Sequence, residues 1–92
     1  MTKLLIFSRK LKDGQKEVML TPTHFSIMFF LSKKKGFTTV QFLKRLPITP
    51  GSLTGQISLL NHRLRNARMP TIVHNGKKYV YPKEILVFAG IS

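Results

Sequence analysis

The side chains able to do chemistry are few in kind and lopsided in charge. The 92 residues hold three acids, Asp13, Glu17 and Glu84, three histidines, His24, His62 and His74, and no cysteine. Acid–base catalysis by carboxylates needs two of them in different environments facing one reacting bond. Here two acids share one predicted hairpin and the third lies far along the chain. The histidines fall in three predicted elements, with neither His-Glu-x-x-His nor Cys/His spacing for a metal, and each is expected at the surface or half-buried. No glycine-rich phosphate loop occurs. Catalysis, a metal and a cofactor are therefore not expected. Cations dominate instead: sixteen Lys or Arg give a formal net charge of +13. Like charges so dense repel one another, and a polyanion relieves the repulsion. Duplex DNA, with about one negative charge per 1.7 Å of axis, is the natural candidate; an anionic membrane surface is the other.

The segment best suited to present those cations is residues 49–67. Leu53, Ile57, Leu60 and Leu64 recur at helical spacing and mark one apolar stripe. The opposite face then carries Gly55, Ser58, Leu59, His62, Arg65 and Asn66, with Ser52 and Thr54 at its edges and Arg63 on the flank. Arg can donate two hydrogen bonds to guanine, and Asn can pair with adenine. Gly55 would permit close approach, and Leu59 suits a thymine methyl or, equally, a protein partner. Arg63 and Arg68 have a plainer option, laying their stems along the core. Thr49-Pro50 or Ser52 can open this helix, and Pro70 is expected to end it.

Other elements must hold that helix. Residues 1–20 read as one hairpin turning at Asp13-Gly14, between Leu4–Phe7 and Val18–Leu20. Thr21-Pro22 opens a first helix, with Phe25, Met28, Phe29 and Ser32 on one face. It ends in Lys33-Lys34-Lys35-Gly36, read as a solvated helix end with Gly36 as cap. Thr38 and Gln41 form a capping box and Phe37 and Phe42 a hydrophobic staple. These start a short second helix of about nine residues that Pro47 stops. Lys44 and Arg45 on it are secondary phosphate candidates. Residues 71–81 form a second hairpin around Asn75-Gly76, with Lys77 and Lys78 at its tip to meet phosphates or a minor groove. The tail is either a strand at Ile85–Phe88 or a short helix from Pro82 to Gly90.

Length supports one α+β domain over 1–92: hairpin 1–20, three-helix core 21–68, second hairpin 69–82 and tail 83–92. Seven Phe and two Tyr supply core area. Apolar runs are too short for a signal-peptide core or a membrane span. A cytoplasmic protein without a membrane partner is expected, nucleoid-associated if the source is bacterial.

The order hairpin, three helices, hairpin resembles the winged helix-turn-helix, and more narrowly the OmpR-type DNA-binding effector domain of response regulators. Leu20-Thr21-Pro22-Thr23-His24-Phe25 is similar to the Leu-Thr-Pro-Thr-Glu-Phe opening of that family's first helix, with His24 replacing the acid. Gln56-Ile57-Ser58-Leu59-Leu60-Asn61-His62-Arg63-Leu64 resembles its recognition helix, and Gly76 and Tyr79 fall near the Gly and Tyr of its wing. The likeness covers residues 18–81, with one N-terminal hairpin where the family has a longer strand array and with no receiver domain. It implies a small transcription regulator that reads double-stranded DNA with its third helix in the major groove, with a homodimer on paired half-sites as one open arrangement. Other open readings are a winged helix that binds RNA and a module docking on RNA polymerase or another regulator.

Overall fold

The computed structural model describes residues 1–89. It is a small α+β fold whose elements run β1 (Thr2–Leu5), β2 (Lys10–Asp13), β3 (Lys16–Met19), α1 (Pro22–Lys33), α2 (Thr39–Leu43), α3 (Pro50–Asn66), β4 (Val73–His74), β5 (Tyr79–Val80) and β6 (Ile85–Phe88). The three helices and the second hairpin stand where the sequence places them, and of the two readings of the tail the strand at Ile85–Phe88 is the one that forms; the N-terminal strands differ. In place of one N-terminal hairpin there are three antiparallel strands, and the tail returns as β6 to pair in parallel with β1, giving the order β3-β2-β1-β6. Of the Leu4–Phe7 run only Leu4 and Leu5 are strand; Ile6 and Phe7 lie exposed in the turn to β2. Gly90, where the alternative short helix would end, lies outside the described residues.

Both glycine turns form one residue later than the Asx-Gly pairs suggest. Asp13 pairs with Lys16, so the loop is Gly14-Gln15, and Asn75 N–H donates to Lys78 O (3.0 Å) around Gly76-Lys77. Gly14 and Gly76 take the positive φ, +64° and +95°. Asn75 serves as turn support, its Oδ1 accepting from the N–H groups of Lys77 and Lys78.

Capping sets the helix starts. Thr21 Oγ1 accepts from His24 N–H, and Thr49 Oγ1 from Ser52 N–H, so Thr49 and not Ser52 caps α3. Thr38 and Gln41 close the capping box, and the Phe37 and Phe42 rings stack at 5.0 Å as its staple. α2 is five residues, not nine: Leu46 precedes a proline, which disfavours helical backbone there, and the Arg45 and Leu46 N–H groups both close onto Phe42 O. Pro70 does not end α3. Arg68 does, by turning to φ +59°, with Met69 N–H donating to Leu64 O and Arg68 N–H to Arg65 O.

Leu53, Ile57, Leu60 and Leu64 of α3 join Ile27, Met28 and Leu31 of α1, Phe42 of α2, and Leu4, Leu11, Val18 and Ile85 of the sheet in one core. On α1, Phe25 and Phe29 are only half-buried, and the inward positions are His24, Ile27, Met28 and Leu31. Gly36 does not cap α1; Lys34 does, in extended conformation. Gly36 is instead a point of close approach, since a Cβ there would stand 3.1 Å from Lys78 Cβ and 3.2 Å from Val80 Cγ2.

His24 contradicts the expectation of a surface or half-buried imidazole. It is 0% exposed, and neither ring nitrogen has a hydrogen-bond partner. Burial holds its pKa below the ordinary 6.5; the Gln56 amide opposes this and the Arg63 charge adds to it. The unfolded chain then binds a proton that the native chain refuses, so stability is full above about pH 6.5 and falls as pH drops below it. The expected slope is up to about 1.4 kcal/mol per pH unit down to the native pKa. Denaturant midpoints at pH 7 and 5 should show the loss in the native chain and little of it in His24→Leu. Asp13 acts in a lower window: Lys83 at 3.2 Å and the terminal ammonium at 3.3 Å hold its carboxyl below 3.8.

Candidate nucleic-acid interface

Burying the Leu53–Leu64 stripe forces the other side of α3 outward. Ser52, Thr54, Gly55, Ser58, Leu59, His62, Arg65 and Asn66 are all exposed, and Leu59 is 53% so. Arg63 is half-buried on the flank beside α1, nearer its plainer role than a groove contact. The face is preorganised at its C-terminal end: Asn66 Nδ2 and His62 Nε2 lie 3.3 Å apart, one turn of helix between them. Thr54 Oγ1 donates back to Pro50 O, which leaves its oxygen lone pairs outward.

The second hairpin, β4 and β5, lies against this helix. Its placement depends on a residue that sequence reasoning missed. Asn61 donates from Nδ2 to Ile72 O (2.9 Å) and accepts at Oδ1 from Ile72 N–H (2.7 Å), standing in for a strand partner to the chain entering β4. No signal in the sequence separates Asn61 from the polar residues around it, because its partner is a backbone group eleven residues on. Between α3 and the hairpin runs a groove of about 280 Å³ lined by Thr54, Ser58, Asn61, Arg65, His74 and Tyr79, among others. His74 and Tyr79, whose meeting nothing in the sequence announces, pack ring to ring at 4.5 Å on its far wall.

Behind the hairpin, Tyr79 exchanges both backbone hydrogen bonds with Phe37 (3.0 and 2.7 Å), so the segment between α1 and α2 adds a third strand position. Lys77 and Lys78 are exposed at the tip, as expected. Lys44 and Arg45 are exposed as well, but the Arg45 guanidinium lies over the Phe30 and Phe37 rings at 6.0 and 5.8 Å. Lys33 and Lys34 similarly lie over Phe29 and Phe37, at 4.9 and 5.0 Å, so this helix end is more than a solvated run. One continuous surface therefore joins the α3 outer face, the groove and the Lys77-Lys78 tip, while Arg45 stands apart over the aromatic cluster.

Among the described residues, no group of three His, Asp or Glu side chains comes together to hold a metal ion, and no helix is long and apolar enough to cross a membrane. No protein-family model, curated protein or solved structure matches the chain.

Proposed function

We propose that the chain is a sequence-specific double-stranded DNA-binding protein of the winged helix-turn-helix type, a small transcriptional regulator with α3 in the major groove and the β4–β5 hairpin as wing on the backbone or minor groove. The observation that carries this reading is the division of α3. Its apolar stripe is wholly buried, while its outward residues are hydrogen-bonding and cationic and lie beside a hairpin tipped with lysines. Arg65, Asn66 and His62 would address base edges, Ser52, Thr54 and Ser58 bases or phosphates, and Lys77 and Lys78 phosphates. The Asn61 clamp sets the angle at which helix and wing meet one duplex.

Selection of bound sequences from a random duplex pool, read at two salt concentrations, tests this. A recurring motif is expected, with affinity falling steeply with salt; a symmetric repeat of the motif would report a homodimer. A featureless pool would sink the sequence-specific reading, and preference for structured RNA in direct competition would replace it. Gly55 offers a sharper check. Nothing lies within 4 Å of a Cβ placed there, so the fold itself does not need glycine at this helix-interior position. Gly55→Ala should raise stability by about 0.5–1 kcal/mol yet weaken duplex binding, if close approach to DNA is what the glycine serves. Denaturation and binding measured on the same variant read both signs.

A further inference from the structure

The four-stranded sheet has two unlike faces. Strand register puts Val87, Leu4, Leu11 and Val18 in one row facing the helices, with Ile85 and Thr2 in the next. The alternate rows face away: Phe88, Leu5, Lys10 and Met19 across the sheet, then Leu86, Lys3, Lys12 and Glu17. None of these eight residues belongs to the core formed with the helices, although Leu5 at the centre of the face is only 3% exposed and Leu86, Lys10 and Lys12 are half-buried. Phe88 is 40% exposed and Met19 52%, and Phe7, in the turn that leaves β1, is 72% exposed. That turn starts beside Phe88, where Ile6 N–H donates to Phe88 O (2.9 Å). Lys3 Nζ stands 5.2 Å from the Phe88 ring centroid. The only acid in these two rows, Glu17, is engaged by Lys10 at 3.5 Å.

From this we infer that the outer face of the sheet is a second nucleic-acid surface, which takes single-stranded DNA without sequence preference. Exposed rings give bases a π-face to stack on, and cations set among them meet the intervening phosphates. The arrangement of charge selects this occupant. A second copy of the chain, docked by a twofold axis, would bring Lys3, Lys10 and Lys12 against their own counterparts. A bilayer would require cations in the middle of the face, on β1 and β2, to follow the edge residues Phe88 and Met19 into the acyl layer. Exposed rings at one edge, Phe88 and the neighbouring Phe7, with the cations Lys3, Lys10 and Lys12 beside them, are what a strand of bases and phosphates matches. The two rows offer no hydroxyl or amide side chain, and their one carboxylate is engaged, so the proton of an RNA 2′-hydroxyl finds no free side-chain acceptor there.

The inference does not rest on the duplex-binding reading, and its test keeps the two apart. Anisotropy of a labelled oligothymidylate is measured with the full chain, alone and with saturating duplex. Binding is expected to persist in the presence of duplex and in the His62→Ala/Arg65→Ala variant. Phe7→Ala and Phe88→Ala should each lose about fivefold in oligonucleotide affinity. Both sites are exposed, and circular dichroism checks that the fold is retained. Lys3→Gln/Lys12→Gln should lower the slope of log affinity on log salt by about 1.4, at roughly 0.7 per phosphate contact on a single strand. Displacement of the oligonucleotide by duplex, or binding unmoved by all four substitutions, overturns the assignment. So does tighter binding of oligouridylate, or binding of phosphatidylserine vesicles through Phe7 and Phe88 while the oligonucleotide is ignored.

Discussion

Phe42→Ala is expected to cost about 3–5 kcal/mol of folding stability. Phe42 is the hub that holds α2 to the rest: its side chain is fully buried, with the Phe37 ring 5.0 Å away, Tyr79 at 6.0 Å and Phe30 at 6.5 Å. Those partners belong to α1, to the segment before α2, and to β5. Deleting the ring thus opens a cavity where three elements meet, and no single element can shift to close it. A domain of this size has roughly 5–15 kcal/mol in all, and each kcal/mol lowers the melting temperature by roughly 4–8 °C. A fall of at least about 12 °C in a thermal scan followed by circular dichroism is therefore expected. Phe42→Leu, which keeps most of the volume, should cost much less. Equal losses in the two variants would mean that α2 is held by something other than this cluster.

The helices were legible in the sequence because their determinants are local. Thr21-Pro22, the Thr38/Gln41 box and Thr49-Pro50 each satisfy amides within three residues, and the Leu53–Leu64 stripe repeats within one element. The outward face of α3 followed directly, since burying one side of a helix fixes what the other side shows. What stayed hidden depends on distant partners. The tail, legible as either a strand or a short helix, is a strand because Leu86 and Val87 pair with Lys3 and Leu4, more than eighty residues earlier in the chain. β2 was missed because Lys10-Leu11-Lys12-Asp13 has a single apolar residue, enough only once Leu4 and Val18 flank Leu11 in the sheet. Gly36 reads as a helix cap, and its neighbour across space, Lys78, lies in the β4–β5 hairpin. His24 reads as a surface or half-buried residue because a buried imidazole with no partner is costly, and nothing local announces the burial. The same blindness covered the Asn61 clamp and the pairing of His74 with Tyr79, so the groove they line was invisible before the β4–β5 hairpin had a position.

That position decides what the second large effect should look like. The double variant His62→Ala/Arg65→Ala is expected to lose about 2–4 kcal/mol of specific duplex binding, roughly 30- to 1000-fold. Both residues are exposed on the outward face of α3, away from Leu60 and Leu64, so the fold should survive. Arg65 also lines the groove towards the wing, whereas His62 is tied to Asn66, so the two truncations remove separate contacts and should nearly add. The loss should fall on the selected sequence and spare random duplex, because base-edge contacts carry sequence information and phosphate contacts do not. Lys77→Gln/Lys78→Gln supplies the contrast. It should weaken all duplexes alike and lower the slope of log affinity on log salt by about 1.8, close to 0.9 per phosphate contact. Titrating both variants against selected and random duplex at several salt concentrations separates the two patterns. If the α3 variant lost affinity uniformly and the wing variant lost discrimination, the roles assigned to helix and wing would have to be exchanged. If neither moved, or if regulation in cells persisted after the α3 variant had lost duplex binding, the outward face with its exposed Leu59 would be a protein-docking surface instead.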